Sequence, residues 1–333
     1  MKVNINEISR ISGFSPATVS NALNNKKGVS WETSQKILRI AQECGYQTKT
    51  KINNIKFVIY KNSGLVVSDT PFFSSLISGV ENESRGFGYE TAIFNLDKES
   101  PDYEKTLNQL LSDNRSAIIL LATEMAEKEI EPFQKISSPI VVLDSWYENM
   151  TFNSVLINNT DSACFAVKHL IEKGHRTIGY LKGSVRIQNF VYRQLGYQWA
   201  MISSGLQPDP EYTFLLTPTM DGAYCDMDRL LSENPKMPTA FFADNDILAL
   251  GAMKALQDHG YHIPDDISLI GFDDLQFCSI SSPALTTIHV FKQEMGKMAV
   301  RRLIELIDSG GGVKTKIQIC NEFVERGSVK QIK

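Results

Sequence analysis

Residues 5–24 read INEISRISGFSPATVSNALN, and this stretch decides how the rest of the chain is read. Asn6 is placed to cap a helix over 7–11, with Ile8 and Ile11 spaced to share one buried face, and Gly13 stops it. Ser15 followed by Pro16 signals a second start, because proline at the first helical position gives up an N–H that had no partner there. The second helix is predicted over 16–23 and ends at Asn24-Asn25. A loop, Lys26-Lys27-Gly28-Val29-Ser30, leads to a third helix from about 31 to 44, closed by Gly45, with Ile37, Leu38 and Ala41 facing inward. Two short helices split by a Gly-containing turn, with a third in support, describe a helix-turn-helix. Thr18, Ser20, Asn21 and Asn24 are short hydrogen-bonding side chains able to reach base edges and phosphates. A plain three-helix bundle with a solvated polar face shares the pattern, so the pattern alone leaves both readings open.

The charge distribution favours the first. Residues 1–56 carry nine Lys/Arg against three acids, while the remainder carries 25 basic and 35 acidic residues. A basic head on an acidic body points to a polyanion met by the head alone. The 333 residues, 42% apolar and 22% charged, suffice for two or three cores of a globular protein. The N-terminal MKVNINEISR lacks an apolar signal core, and no run of 18 uncharged apolar residues occurs, so secretion and membrane spanning are not expected. Five cysteines, odd in number, far apart and without a C-x-x-C pair, suit a reducing cytoplasm and argue against a disulfide framework or a thiolate zinc site.

Beyond the head, β-rich runs at 57–60, 91–94, 117–121 and 140–143 alternate with helical stretches near 72–87, 103–113 and 124–135. The rhythm restarts with helix 160–173, strand 177–181, helices 190–204 and 222–232, strand 239–242, helix 245–259 and strand 267–270. Such alternation predicts parallel sheets covered by helices, and its repetition predicts two lobes with a ligand cleft beyond the carboxyl ends of the strands.

The 5–24 stretch, with Val29-Ser30, Glu32-Thr33 and Glu43-Cys44-Gly45-Tyr46, resembles the headpiece of the lactose-repressor (LacI/GalR-type) family. The body is similar to the same family and to periplasmic sugar-binding proteins, through Pro71-Phe72-Phe73, Lys173-Gly174-His175-Arg176, Arg193-Gln194-Leu195-Gly196-Tyr197, Asn245-Asp246 and the run 263–274. The resemblance spans nearly the whole chain. It implies a headpiece at 1–46, a short basic linker at 47–56 and a two-lobed sensor at 57–333, whose first lobe takes about 57–157 and 289–316 and whose second takes about 158–288 and 317–333. It implies that Pro16, Ala17 and Asn21 read bases and that Ser15, Thr18, Ser20 and Asn24 contact the DNA backbone. Pro16 and Ala17 offer no side-chain donor, which leaves Asn21 as the best single candidate for base readout.

The linker departs from the family pattern. It is several residues short and lacks the Leu that wedges into the minor groove, although Lys49, Lys51 and Lys56 are candidate phosphate contacts and Ile52 or Ile55 candidate wedges.

A sugar is held by planar polar groups around its hydroxyls and by aromatic rings against its C–H faces. Asp144, Arg193, Asn245 and Asp273 fall at strand ends or helix starts and match the family's effector positions; Phe72 and Phe73 match its aromatic wall. Trp146, Asn189 and Tyr224 are further candidates. The implied partners are palindromic double-stranded DNA, a small effector of sugar type and a second copy of the chain, with no cofactor. Competing chemistry is thin. Gly86-Phe87-Gly88 is only a G-x-G, His259 and His262 lack a third metal ligand, and neither a P-loop nor a G-x-S-x-G elbow occurs, so catalysis is not expected.

Overall fold

The computed structural model describes residues 4–23, 28–44, 52–67 and 71–332. The chain forms two compact units, divided at Ile52 and Asn53.

The first unit is three helices, α1 (Ile5–Ser12), α2 (Pro16–Leu23) and α3 (Trp31–Glu43). Asn4, not the expected Asn6, caps α1 by accepting from the Glu7 N–H at 3.0 Å, and Gly13 ends it at φ 74°, where a side chain would be strained. Ser15 Oγ accepts the Thr18 N–H at 3.1 Å, and Ser30 does the same for Thr33 at 3.2 Å. Ile8, Val19, Ala22, Ile37 and Ala41 form the core, with Ile5, Phe14, Leu23, Val29 and Ile40 packed around it. Ile11 and Leu38, both expected inside, are half exposed or nearly so; α1 buries its first turn rather than its last, and α3 turns Ile40 inward instead.

The second unit opens with β1 (Asn54–Lys61), α4 (Pro71–Gly86), β2 (Glu90–Asp97), α5 (Tyr103–Ser112), β3 (Ser116–Leu121), α6 (Glu127–Ile130) with a 3-10 turn at Glu131–Lys135, β4 (Ile140–Leu143) and β5 (Asn153–Ile157). It continues with α7 (Asn159–Glu172), β6 (Ile178–Gly183), α8 (Gln188–Ser203), β7 (Thr213–Leu216), α9 (Met220–Ser232), β8 (Ala240–Ala243), α10 (Asp246–Asp258), β9 (Ser268–Ile270) and α11 (Phe277–Ile280). The last elements are β10 (Thr287–His289), α12 (Lys292–Ser309), β11 (Lys316–Ile319) and β12 (Glu322–Val324).

Two all-parallel sheets result, ordered β11-β5-β4-β3-β1-β2 and β7-β6-β8-β9. Their central strands β3, β4, β5 and β8 are buried at every residue, as strands covered by helices on both faces must be. Strand β2, at an edge, leaves five of its eight residues exposed. The first lobe is closed by α12 lying against α4, where Gly79 and Gly296 let the backbones touch: a Cβ on Gly79 would strike the Gln293 carbonyl, and one on Gly296 the Leu76 carbonyl.

Three expectations about this unit change. The body begins at Asn54, so residues 54–56 belong to β1 rather than to a linker. Lys56 is engaged by Asp113 at 2.6 Å and Ile55 is fully buried, so neither is available to DNA. Residues 317–326, expected to belong to the second lobe, divide between two strands: β11 joins β5 at the edge of the first lobe's sheet, while β12 pairs antiparallel with β10. Lys49 and Lys51 lie outside the described residues.

Candidate functional site

Both sheets end at one cleft. Asp144 follows β4 and Thr123 follows β3; Phe72 and Phe73 open α4; Asn189 and Arg193 sit on the first turns of α8; Asn245 and Asp273 follow β8 and β9. Seven of the nine expected effector residues therefore line a single partly open cavity of about 380 Å³ of empty space, counted to its mouth: Phe72, Phe73, Asp144, Asn189, Arg193, Asn245 and Asp273.

The polar groups form one network. Thr123 Oγ1 donates to Asp144 Oδ2 at 2.6 Å, and Asn189 Nδ2 donates to Asp144 Oδ1 at 2.9 Å. Asn159 Nδ2 donates to Asn189 Oδ1 at 2.8 Å and its own oxygen accepts from Arg193 Nε at 2.9 Å. Arg193 donates further to the Asp244 carbonyl at 2.6 Å, pairs with Asp273 at 3.1 Å, and lies 3.7 Å above the centre of the Phe272 ring. Asn245 uses its side-chain oxygen to cap α10 through the Leu248 N–H at 3.0 Å. Burial pushes the Asp144 carboxyl up to about 6, against the pull of Thr123, Arg193 and Asn189. Burial likewise raises Asp273, partly offset by Arg193 and Lys292.

Asp144 and Asp273 also share an uncommon backbone. Their φ values of 66° and 112° lie where a side chain is strained, and such residues persist where the surroundings hold them. At Asp273 the holder is Lys292, whose ammonium bonds the Asp273 carbonyl and reaches the Asp274 and Val290 carbonyls, each at 3.3 Å. Asp274, which flanks the site, is taken up by Arg326 at 2.7 Å and His289 at 2.9 Å.

Two expected residues lie elsewhere. Tyr224 is on the surface of the α9–α10 pair, donating to Asp258 at 3.1 Å. Trp146 stacks on Tyr192 at 5.5 Å with Lys316 3.9 Å above its ring, outside the cavity. Strand-end reasoning missed Thr123 and Asn159, which complete the network, and the apolar wall of Val66, Ile157, Ile187, Phe190, Ile247 and Leu275. Thr123 closes an apolar run and was within reach of the same rule; the wall was not, because apolar residues carry no positional signal. Val66 is placed by Glu124, whose carboxylate accepts the N–H groups of Asn62, Ser63, Gly64, Val66 and Val67 at 2.9–3.1 Å. Burial works to raise that carboxyl, and the N–H bonds outweigh it and hold it below the usual range.

In the first unit, Ser15, Pro16 and Ala17 are exposed at the start of α2, with Thr18, Ser20 and Asn21 half-buried. Asn24 lies outside the described residues. Among the described residues no group of three metal-binding side chains occurs, and no helix is long and apolar enough to cross a membrane.

Comparison with known proteins agrees with both units. Residues 4–49 match the model of bacterial regulatory proteins of the lacI family, and residues 167–329 that of the periplasmic binding protein-like domain. The chain is 31% identical over 331 residues to the HTH-type transcriptional repressor PurR of Mannheimia succiniciproducens, covering 98% of this chain and 99% of that one. It shares its fold with the transcriptional regulator CelR in complex with cellobiose (21% identity, TM-score 0.75, 98% and 99% covered). It likewise shares it with the lac repressor dimer bound to operator and the anti-inducer ONPF (22%, TM-score 0.71, 99% and 100% covered). The chain thus belongs to the lacI family of bacterial regulatory proteins and is a DNA-binding transcriptional repressor, not an enzyme.

Proposed function

We propose that this repressor acts in the cytoplasm as a homodimer on a palindromic operator, and that a sugar bound between the lobes controls its operator affinity. The observation that carries the sensor reading is the convergence of Asp144, Asn189, Arg193, Asn245 and Asp273 with Phe72 and Phe73 on one cavity, from elements of both sheets. Carboxylates accept from hydroxyls, amides do both, and aromatic rings cover C–H faces; this is the equipment a sugar requires. The cellobiose complex of a regulator of the same fold supports a saccharide. The operator-bound repressor dimer supports twofold pairing, with half-sites spaced by the protein's symmetry axis. On α2, Pro16, Ala17 and Asn21 face bases, while Ser15, Thr18, Ser20 and Asn24, with Lys49 and Lys51, hold phosphates.

An effector moves operator affinity only through its different affinity for two conformations of the sensor. The test is operator titration followed by fluorescence anisotropy, with and without a sugar shown to bind. A change of at least several-fold is expected; equal affinity at saturating sugar would remove the regulatory role.

A further inference from the structure

We infer that the exposed face of α8 docks the same face of a second copy of the chain, in an antiparallel contact that links two of the proposed homodimers. The inference takes that homodimer as its unit and adds a second contact to it. Its first support is the composition of the helix. Over Gln188–Ser203, α8 carries one charged residue, Arg193, and that side chain is buried against the cleft. The residues that α8 exposes are Val191, Leu195, Trp199 and Ile202, with Ser203 at its end. The four apolar ones are 42%, 46%, 58% and 58% exposed. Their spacing of four, four and three residues puts them on one stripe, about 16 Å long.

A helix that is apolar all round is a helix covered all round. The inner side of α8 is covered: Gly196 lies so close to α7 that a Cβ there would strike the Thr160 carbonyl and the Ala163 methyl. The neighbour α7 has an ordinary charged solvent face, with Asp161, Lys168 and Glu172 exposed. The outer stripe of α8 is left half open to water.

The second support is what the stripe fits. Without Lys or Arg it offers nothing to a nucleic acid or an anionic lipid surface. A second copy matches it. A twofold contact sets groups near the axis against their own copies, where charges would repel, and here there are none. Antiparallel pairing about an axis at the level of Tyr197 sets Val191 opposite Ile202 and Leu195 opposite Trp199, each smaller side chain against a larger one.

The area sets the strength. The four side chains present on the order of 400 Å² per copy, the size at which exposed apolar surface marks an interaction site. Two stripes together bury about 800 Å², short of the roughly 1,200 Å² of a stable complex. The stripe is therefore too small to hold the homodimer itself and suits a weaker contact between dimers.

The experiment is sedimentation velocity of the full-length protein from about 1 to 100 µM, the range in which a small interface associates. A species larger than the dimer is expected to grow with concentration. Leu195→Glu and Trp199→Lys, each alone, should need at least tenfold higher concentration to form it. Mixed in equal amounts they should recover it, because the pairing sets position 195 of one copy against position 199 of the other. Operator affinity and melting temperature like the parent's report that both variants fold.

A parent that stays dimeric throughout overturns the inference, leaves the homodimer standing and assigns the stripe to a different protein. Variants that associate as readily as the parent, or that fall to monomers, overturn it as well. A mixture that associates no better than its parts overturns the antiparallel pairing. A parent that stays monomeric defeats the homodimer and this inference together.

Discussion

In the proposed function, Asn21 and Asp273 are the single side chains that carry the most. Asn21→Ala is expected to lose about 1–3 kcal/mol of discrimination, the value of a good base contact, on operator and nothing on random DNA. Equal loss on both, by competition anisotropy, would make it a phosphate contact. Asp273→Ala should abolish the effector response and leave unliganded operator binding within twofold, as read by the same titration.

Asp246 yields a pH prediction. Burial first, and then the nearby Asp273, push its carboxyl from the ordinary 3.8 to about 7. The folded chain thus holds a proton that the unfolded chain has released between those values. This contribution to stability is full below about 4 and is lost as pH rises through about 7. Melting temperatures between pH 5 and 8 should therefore depend less on pH in Asp246→Asn than in the parent.

Much of this chemistry was legible, because a polar residue just after an apolar run has few places to go. Asp144, Asn245 and Asp273 follow apolar runs, Arg193 stands near a helix start, and all four match family positions; the structure brings them to one cavity. What the sequence hides is pairing at a distance: nothing in the spacing of Asn159 and Arg193, or Thr123 and Asp144, says that they bond. Tyr224 was misplaced for a related reason, since an aromatic near a helix start marks a face only when the helix's orientation is known.

At the scale of elements, α4 and α12 show how backbone contact replaces side-chain packing. Gly79→Ala puts a methyl against the Gln293 carbonyl, and overpacking of that kind costs about 1–3 kcal/mol. Denaturant unfolding should show it, while Gly205→Ala, in open space but at φ 74°, is disfavoured by backbone conformation alone. Long helices and four-residue apolar runs were readable from composition. Strands β5, β7 and β10 were not. Residues 153–157 begin with Asn and Ser, 213–216 and 287–289 are very short, and each is a strand because a neighbour pairs with it. The assignment of 317–333 to the second lobe alone fails for the same reason, since β11 and β12 pair in different sheets.

At the scale of the molecule, the basic first fifty-six residues and acidic remainder divide two kinds of binding. Operator affinity should fall at least ~10-fold between 50 and 200 mM salt, because phosphate contacts release counterions. Affinity for an uncharged effector should stay within about twofold over that range, since no net charge is brought together. Isothermal titration at both salts checks the pair; a steep salt dependence of effector binding would mean that the ligand is charged.

The loop clamped by Glu124 has a mechanical consequence. Val66, carried on the first lobe, packs with Ile187 and Phe190 of the second in an apolar seam separate from the larger cores. Any motion that parts the lobes must return those three side chains to water, whereas the five N–H bonds to Glu124 stay within one lobe and survive it. Under the proposed regulation the seam acts as a detent against parting of the lobes. Trimming Val66 would loosen the detent without touching a single polar ligand contact, and so retune the threshold of the switch while leaving its selectivity alone.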